Sequence, residues 1–347
     1  MEGMVMHEIL KSGMLLDENG NINEPGFART LILDYNRAQV KGGYLRLKEW
    51  DYYLIGNEHF AVALTIADNS YMGLDSISFL WFDEKTEKTV SKMQVLTRGG
   101  KQLPATSKTG DVQSKGKGYQ LSFIQDKEKR VLDFCMTNFH EGLPIKGHIT
   151  LWDEPKESMV IATPFEKKGH FYYNQKINCM NATGTVNVCG KDYLFSGEDS
   201  FAVLDWGRGV WTYKNTWYWG SASGLVDGVK FGFNIGYGFG NTQAATENVL
   251  FYDGVIHKLS EVKFEIPCKK DGSEEFDKQW KFSSDDGRFE LDFVPVLDRA
   301  ACLNALIIAS DQHQVFGYFS GKVILDNGKV IQLDRFFGFA EKVMNKW

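Results

Sequence analysis

Between Leu204 and Gly224 the chain gathers the residue types best suited to chemistry. The stretch reads LDWGRGVWTYKNTWYWGSASG and contains four tryptophans and two tyrosines, with Asp205 as its one acid. Burial among indole rings would raise the pKa of that carboxyl group and leave it protonated near neutral pH. A neutral carboxylic acid in an apolar cavity can protonate an alkene or donate a hydrogen bond to a ligand. Asp205 is therefore a candidate general acid.

Arg208 gives a second interpretation of the same acid. It follows Asp205 by three residues, and a guanidinium beside a carboxylate holds that carboxylate ionised. Asp205 would then be a structural partner of Arg208, or a turn residue that accepts hydrogen bonds from backbone amides. The sequence leaves both interpretations open.

The aromatic residues indicate either a ligand-binding wall or a packed core. Indole rings stack on flat or polyene ligands, and they also supply large buried areas in any β-protein. The density of the cluster, with polar residues nearby that a ligand or a loop-bracing network could satisfy, predicts a cavity. Its predicted ligand-binding residues are Trp206, Arg208, Trp211, Trp217, Trp219, Asn234, Tyr237, Glu247 and Asn248.

Other catalytic patterns are missing from the sequence. The seven histidines show no H-x-H or H-E-x-x-H spacing, so we predict no metal site. The segment GSASG has Ala222 at its centre and is not a G-x-S-x-G motif. No cofactor is predicted. Glu49 and Asp51, on either side of Trp50, are interpreted as acids of a solvated strand edge.

The elements that must position these residues are predicted to be strands. Short alternating or apolar runs recur along the chain, as in FAVALTIAD at 60–68. Asn-Gly and Asp-Gly pairs between the runs supply the positive φ of two-residue hairpin turns. The 35 glycines and seven prolines suit bent, closed sheets more than helical bundles. The predicted fold class is all-β, with at most a few short helices. The hairpin pairs include Asn19-Gly20, Asp227-Gly228, Asp253-Gly254 and Asn327-Gly328.

Four pairs of segments indicate an internal repeat. Their offset stays near 170 residues, from Trp50 to Trp217, from Asp83 to Asp253 and from Gly147 to Gly321. A duplication predicts an N-terminal barrel at 1–165 and a C-terminal barrel at 166–347, each just large enough for side chains or one small ligand. Chance likeness of two β-rich halves is the alternative. The pairs are EWDYYLI with TWYWGSA, FAVALTIAD with VKFGFNIGYG, FLWFDEKTEK with VLFYDGVIHK, and KGHITL with SGKVIL.

Composition narrows the class of partner. A net charge of −6 disfavours nucleic acid, which needs a basic face. The start MEGMVMHEILKSGMLL lacks the pattern of a secretory signal, and no run reaches the length of a spanning helix. Five widely spaced cysteines without a C-x-x-C pair favour buried, reduced thiols and a cytoplasmic location. The composition does not set the oligomeric state.

Several long motifs of the sequence resemble those of a known family. The run LDWGRGVWTY, WYWGSASG, FGFNIGYGFGNTQAATENVLFYDG, with PGFARTLILDYNR and KEWDYY upstream, closely resembles the bacterial family catalogued as domain of unknown function 2804. The likeness covers nearly the whole chain. It implies no established activity.

A more distant likeness implies a fold and a chemistry. The order of aromatic clusters, Asp-Gly turns and strands is similar to the carotenoid hydratases, AttH-like proteins and tocopherol cyclases. That resemblance implies two tandem lipocalin-like barrels with a ligand in an apolar cavity. It also implies that Asp205 corresponds to a suspected proton donor, in a pattern from which Asp205-Trp206-Gly207 departs by lacking two intervening residues.

Three functional hypotheses follow. The first is a protein that binds a hydrophobic or amphiphilic small molecule, such as a lipid or isoprenoid, in a barrel cavity lined by aromatic residues. The second is an enzyme of the hydratase or cyclase kind that uses Asp205 as general acid and aromatic faces to stabilise a carbocation. The third is a non-catalytic scaffold, which predicts a large exposed apolar patch.

Overall fold

Strands make up almost all the regular structure of this computed structural model, which describes residues 6–43, 45–305 and 308–346. One short 3-10 helix spans Arg37–Gln39. This content confirms the all-β prediction. The strands are β1 (Gly13–Met14), β2 (Gly26–Ala28), β3 (Leu33–Asp34), β4 (Leu47–Gly56), β5 (Phe60–Asp68), β6 (Met72–Trp81), β7 (Thr86–Val95), β8 (Val112–Gly116), β9 (Tyr119–Asp126), β10 (Lys129–His140), β11 (Leu143–Trp152), β12 (Met159–Pro164), β13 (Phe171–Val188), β14 (Lys191–Phe195), β15 (Phe201–Val210), β16 (Lys214–Val226), β17 (Val229–Tyr237), β18 (Val249–Tyr252), β19 (Val255–Lys258), β20 (Val262–Glu265), β21 (Trp280–Ser284), β22 (Phe289–Ala305), β23 (Ile308–Ile324) and β24 (Val330–Lys346).

Two large antiparallel sheets contain nearly all of these strands. The first has the order β7-β6-β5-β4-β15-β13-β11-β10-β9-β8, with β12 and β14 paired to β13 and β2 paired to β12. The second has the order β19-β18-β17-β16-β24-β23-β22-β21-β20. Both sheets curl, so that β7 packs against β10 and β17 packs against β20. The curled sheets confirm the predicted tandem architecture of lipocalin-like barrels.

Three of the four repeated segment pairs lie on equivalent strands of the two sheets. The four matched pairs lie on β4 and β16, on β5 and β17, on β6–β7 and β18–β19, and on β11 and β23. In each sheet the first three pairs form a four-stranded meander. The turns Asp227-Gly228 and Asp253-Gly254 have positive φ at both residues, as two-residue hairpins require.

The sheets divide the chain between Val210 and Lys214. Strands β13, β14 and β15 complete the first sheet, and the second sheet begins with β16. The division into domains at 1–165 and 166–347 stays a prediction. In either case β13 and β15 form the wall that the first sheet presents to the second.

The interior of each curled sheet is filled by apolar side chains. The first contains residues such as Leu64, Phe79 and Ile149, all fully buried. The second is mainly aromatic, with Phe231, Phe233, Trp280, Phe289, Phe293 and Phe319 fully buried. Side chains therefore occupy the space in which the sequence predicted a ligand.

Segment 97–107 is tied to the first sheet by buried polar contacts. Asp68 accepts hydrogen bonds from the Thr97 hydroxyl (2.7 Å) and the Gly99 amide (2.8 Å). The Lys101 ammonium lies 2.7 Å from the Asp75 carboxylate, and both side chains are almost fully buried. Charged side chains thus fix a loop whose own sequence contains little apolar surface.

Two further predictions, of buried reduced thiols and of a chain without a spanning helix, can be compared with the structure. All five cysteines are free; Cys179 is buried, as predicted, whereas Cys135, Cys268 and Cys302 are exposed, so the prediction of buried thiols is wrong for those three. In the part of the chain that the structure describes, no helix is long and apolar enough to cross a membrane.

Candidate functional site

Strand β15 carries the predicted site residues on two opposite faces. Side chains alternate along a strand, so neighbours point to opposite sides of the sheet. Leu204 and Trp206 belong to the interior of the first barrel, whereas Val203 belongs to an apolar cluster that includes residues of the second sheet. Asp205 shares the face of Val203. The run Asp205-Trp206 is therefore split between two environments.

Arg208 does not pair with Asp205. Its Nη1 lies 3.1 Å from Oδ1 of Asp51, its Nη2 donates to the carbonyl of Pro104 (2.7 Å), and its guanidinium lies over the Trp206 ring at 4.2 Å. Arg208 and Trp206 thus lie inside the first barrel, away from the predicted ligand cavity. The interpretation of an Asp205–Arg208 pair is wrong. So is the solvated edge predicted for Glu49 and Asp51, which are buried.

Asp205 pairs instead with Lys176 on the neighbouring strand β13. The two residues are register partners, and the Lys176 ammonium lies 2.7 Å from Oδ1 of Asp205. The Asn174 side-chain amide donates to the same oxygen at 2.6 Å. Oδ1 accepts from both an ammonium and an amide, so it has no proton of its own to give. Asp205 therefore lies on the first sheet and faces the second, not the interior of the second barrel.

Three predicted residues of the second sheet are linked opposite this pair. The Trp219 indole N–H donates to Oδ1 of Asn234 at 2.7 Å, and the Asn234 amide donates to the backbone carbonyl of Glu247 at 2.9 Å. The Lys176 ammonium lies 4.0 Å from the centre of the Trp219 ring. A cation over an indole face is attracted by the ring quadrupole. The structure thus brings Asp205, Trp219, Asn234 and Glu247 together across the two sheets.

Glu341 on β24 completes this group, although the sequence analysis did not select it. Its carboxylate accepts hydrogen bonds from the Trp217 indole N–H (3.0 Å) and from Gln312 (3.3 Å). Burial raises the pKa of Glu341 to about 7, and the nearby charge of Asp205 acts in the same direction. Burial also raises the pKa of Glu247, whose Oε2 has no hydrogen-bond partner.

We call Lys176, Asp205, Glu247 and Glu341 the inter-sheet cluster. It sets three carboxyl groups around one ammonium, with the Trp217 and Trp219 rings beside them. The group does not have the geometry of a metal site: within the described residues, no three His, Cys, Asp or Glu side chains converge to hold a metal ion. Carboxyl and ammonium groups in this arrangement are able to exchange protons and to interact with charged groups.

Trp211 and Trp217 pack into an aromatic group with Phe239. The ring centres of Trp211 and Phe239 are 4.9 Å apart and those of Trp211 and Trp217 5.8 Å apart, in edge-to-face contacts. Rings at these distances fill the space between them. The Trp50 ring lies against Gly207, and a Cβ atom at residue 207 would collide with that ring. Packing therefore accounts for Trp211, as the alternative interpretation proposed.

Two further predicted residues lie apart from the cluster. Tyr237 packs within the second barrel, stacked on Tyr218 with ring centres 4.4 Å apart. Asn248 accepts from the Gly236 amide (2.6 Å) and donates to the Ser260 carbonyl (2.8 Å). These two hydrogen bonds are the loop-bracing network that was the alternative to ligand binding.

An open cleft of about 360 Å³ lies between the sheets, next to the inter-sheet cluster. Val203 and Phe339 line it, and Asp205 and Glu341 follow two residues further along the same strands. A spacing of two residues on a strand is roughly 7 Å. The apolar floor of the cleft is formed by Leu54, Ala61, Phe82, Val203, Phe316, Phe337 and Phe339.

Lys176 and Glu341 could have been recognised in the sequence by a weak signal. Lys176 is the one charged residue of strand β13, in FYYNQKINCM, and Glu341 lies in FFGFAEKVM on the face of the apolar Phe337 and Phe339. A charge at a position that alternation predicts to be buried needs a partner. The partners themselves lie on strands far apart in the chain.

Two curled antiparallel sheets, packed through a buried charge cluster, define a tandem lipocalin-like β-barrel protein. The chain belongs to the family described as Domain of unknown function (DUF2804), whose model matches residues 6–347. This finding confirms the resemblance seen in the sequence. A comparison with curated proteins gave no match.

Solved structures with the same fold are distant in sequence. The structure described as AttH from Nitrosomonas europaea has a TM-score of 0.54 and 11% identity, covering 90% of this chain and 96% of that one. The crystal structure of CghA has a TM-score of 0.55 and 12% identity, covering 97% of each chain. Kievitone hydratase from Nectria haematococca aligns at 10% identity with a TM-score of 0.48, covering 96% of this chain and 98% of that one. The likenesses to the AttH and CghA structures establish the fold alone.

Proposed function

We propose that the protein binds a hydrophobic or amphiphilic small molecule in the cleft between its sheets. The observation that carries this proposal is the cleft itself, about 360 Å³ in volume with an apolar floor. Small-molecule sites commonly measure roughly 300–1,000 Å³ and are lined mainly by apolar and aromatic side chains. Large buried side chains pack inside both barrels, which favours a ligand site between the barrels over one inside either of them.

The floor of the cleft is suited to an apolar ligand and is already formed. Phe82 packs against Phe337 and Phe316 with ring centres 4.7 and 5.1 Å apart, so these rings hold one another in place. Each Å² of apolar surface removed from water contributes about 25 cal/mol, and a rigid wall loses little entropy on binding. An alkyl or isoprenoid chain laid on this floor would gain that contribution along its length.

The experiment is a binding comparison between two tryptophan substitutions. Leu225 lines the cleft and Leu194 does not, and both side chains are exposed, so each tolerates a larger residue. We expect Leu225→Trp to weaken binding of a fluorescent alkyl probe by roughly tenfold through lost space, and Leu194→Trp to leave it unchanged. Probe binding that is absent in the wild type, or equal in both variants, contradicts the proposal.

Extraction of the purified protein identifies the natural ligand. Mass spectrometry of an organic extract should show one recurring amphiphilic compound from the wild type and less of it from Leu225→Trp. A scaffold without a ligand predicts an exposed aromatic patch instead. Trp206, Trp211 and Trp219 are buried, and this observation favours the binding proposal over the scaffold.

The inter-sheet cluster favours a second candidate function, acid–base catalysis of the hydratase or cyclase type. Asp205 lies about 7 Å beyond the cleft wall at Val203. Its Oδ1 accepts from Lys176 and Asn174, which leaves Oδ2 as the oxygen that a ligand can approach.

An Asp205→Asn variant tests the catalytic candidate with the ligand obtained by extraction. The amide keeps the shape of the side chain but carries no exchangeable acid proton. We expect turnover to be lost and ligand affinity to stay within about threefold, since the floor of the cleft is untouched. If affinity falls as far as turnover, or if turnover persists, Asp205 is not a general acid.

A further inference from the structure

We propose that the ligand of the cleft is a cationic amphiphile, with its alkyl chain on the apolar floor and an ammonium group at the mouth. This inference rests on the proposed binding function and adds the chemical class of the ligand. It is argued from the charges that surround the mouth, because the floor itself would accept any apolar chain.

Four carboxylates surround the mouth of the cleft. They come from the β4–β5 turn, the β14–β15 turn and strand β24, so three separate segments converge there. Glu198, Asp199 and Asp334 are exposed, and no ion pair to a basic residue is formed by any of the three within the described residues. Carboxylates that face one another across an apolar cleft repel, and a ligand cation relieves that repulsion. The four acids are Glu58, Glu198, Asp199 and Asp334.

The basic groups at the mouth are directed to other partners. The Arg335 guanidinium lies over the Tyr318 ring at 3.9 Å. The His59 ring accepts or donates a hydrogen bond with Asp83 at 3.1 Å and lies 3.9 Å from Glu58. Four carboxylates outnumber the one guanidinium and the one imidazole, so the mouth has a net negative charge.

The charge of the whole chain has the same sign as that of the mouth. The chain carries a net charge of −6. A negative mouth above an apolar floor attracts cations while it repels fatty acids, phospholipids and other anions.

The shape of the cleft selects an organic cation. In the described part of the chain no three metal-ligating side chains converge, and the floor offers phenyl rings rather than oxygen ligands. At about 360 Å³ the cleft is too small for a folded basic peptide and large enough for one alkyl chain with its head group. A quaternary or primary ammonium near aromatic rings gains cation–π attraction that a hydrated metal ion does not.

The test compares three detergents that share one dodecyl chain and differ in charge. Dodecyltrimethylammonium, dodecyldimethylamine oxide and dodecyl sulfate are titrated below micelle formation into the full chain, with calorimetric detection. At neutral pH and low salt we expect the ammonium to bind about tenfold more tightly than the sulfate, with the amine oxide between them. Salt at roughly 0.5 M should remove most of this difference, because it screens exposed charges.

A matched pair of double variants locates the effect. Glu198→Gln/Asp334→Asn removes two acids of the mouth, and Glu128→Gln/Asp292→Asn removes two exposed acids that do not line the cleft. The first should weaken ammonium binding by about fivefold and narrow the gap to the sulfate; the second should change neither. Both variants shift the net charge equally, so a general charge effect would appear in both.

The outcomes separate this inference from the proposed function. Equal binding of all three detergents, or preference for the sulfate, overturns the cationic ligand and leaves the cleft as a binding site. Equal weakening by the two double variants also overturns it. Binding of none of the three overturns the proposed function as well.

Discussion

Two buried ion pairs lie on opposite faces of strand β15, and they are built differently. Inside the first barrel, Arg208 pairs with Asp51 and donates to the carbonyls of Trp50 and Pro104. Between the sheets, Lys176 pairs with Asp205 in the presence of two further carboxyl groups. The first pair has one charge of each sign and neutral acceptors; the second has an excess of acid.

The difference distinguishes an ion pair that stabilises the fold from a group of acids with perturbed pKa values. A buried charge is tolerated when partners compensate it. Arg208 donates to Asp51 and to three backbone carbonyls, including that of Pro104, although its Nε has no partner. The inter-sheet cluster leaves Oε2 of Glu247 without a partner and holds Glu341 with a pKa of about 7. Perturbed acids of this kind concentrate at functional sites.

Removing Arg208 should have the largest effect on stability. An Arg208→Met variant leaves the Asp51 carboxylate buried without its counter-charge and frees the Pro104 carbonyl. We expect the free energy of unfolding to fall by about 3–5 kcal/mol, measured by urea denaturation. The double variant Arg208→Met/Asp51→Leu should recover part of that loss because no charge remains buried. A loss below about 1 kcal/mol in the single variant would contradict the structural role.

The pH dependence of stability should reveal Glu341. Its folded pKa of about 7 lies above the ordinary value of 4.5, so the folded state binds the proton more tightly than the unfolded state. The resulting stabilisation is complete below pH 4.5 and is lost as pH rises through about 7. Relative to Glu341→Gln, which stays uncharged, the wild type should lose on the order of 3 kcal/mol over that interval.

Denaturation curves at several pH values for both proteins measure this difference. Groups remote from residue 341 titrate equally in the two proteins, so the difference between the two curves reports on residue 341 and the charges coupled to it. A wild type that tracks Glu341→Gln at every pH would show that the carboxyl group has the same pKa in the folded and unfolded states. Glu341 would then be a structural acceptor for Trp217 and nothing more.

Removing Asp205 should have the smallest effect of the three. In Asp205→Asn the Lys176 ammonium keeps its contact with the Trp219 ring and its attraction to Glu247 and Glu341. We expect a loss of about 1–2 kcal/mol by urea denaturation, clearly less than for Arg208→Met. The same variant should lower the pKa of Glu341, because the charge of Asp205 raises it in the wild type. A loss as large as that of Arg208→Met would remove the contrast between the two pairs.

The architecture could be predicted from local patterns. Alternation identified strands such as β5, Asp-Gly pairs identified the turns at 227–228 and 253–254, and the offset near 170 residues identified equivalent strands of the two sheets. Each of these signals acts over a few residues or repeats in order. They are sufficient for the sheets because neighbours in sequence are mostly neighbours in the meander.

The site could be predicted only in part, for two physical reasons. Asp205, Trp206 and Arg208 were grouped because they are close in sequence, but a period of two sends Asp205 to the opposite face from the other two. The partner Lys176 is brought to Asp205 by the pairing of β13 with β15, and Glu341 comes from β24, whose distance from Asp205 is set by the packing of the two sheets. No local pattern encodes that packing. Alternation, applied to β15, would have corrected the first error.

Strand β15 is hydrogen-bonded along its length, to β4 on one side and β13 on the other. Its backbone cannot shift on one face alone. The loop at Pro104, on one side of the strand, and Asp205, on the other side, therefore move together. Exchanges of residues deep in the first barrel, such as at Trp206, should therefore tune the affinity of a ligand they never touch. Variation within such a family would carry functional information in positions that look purely architectural.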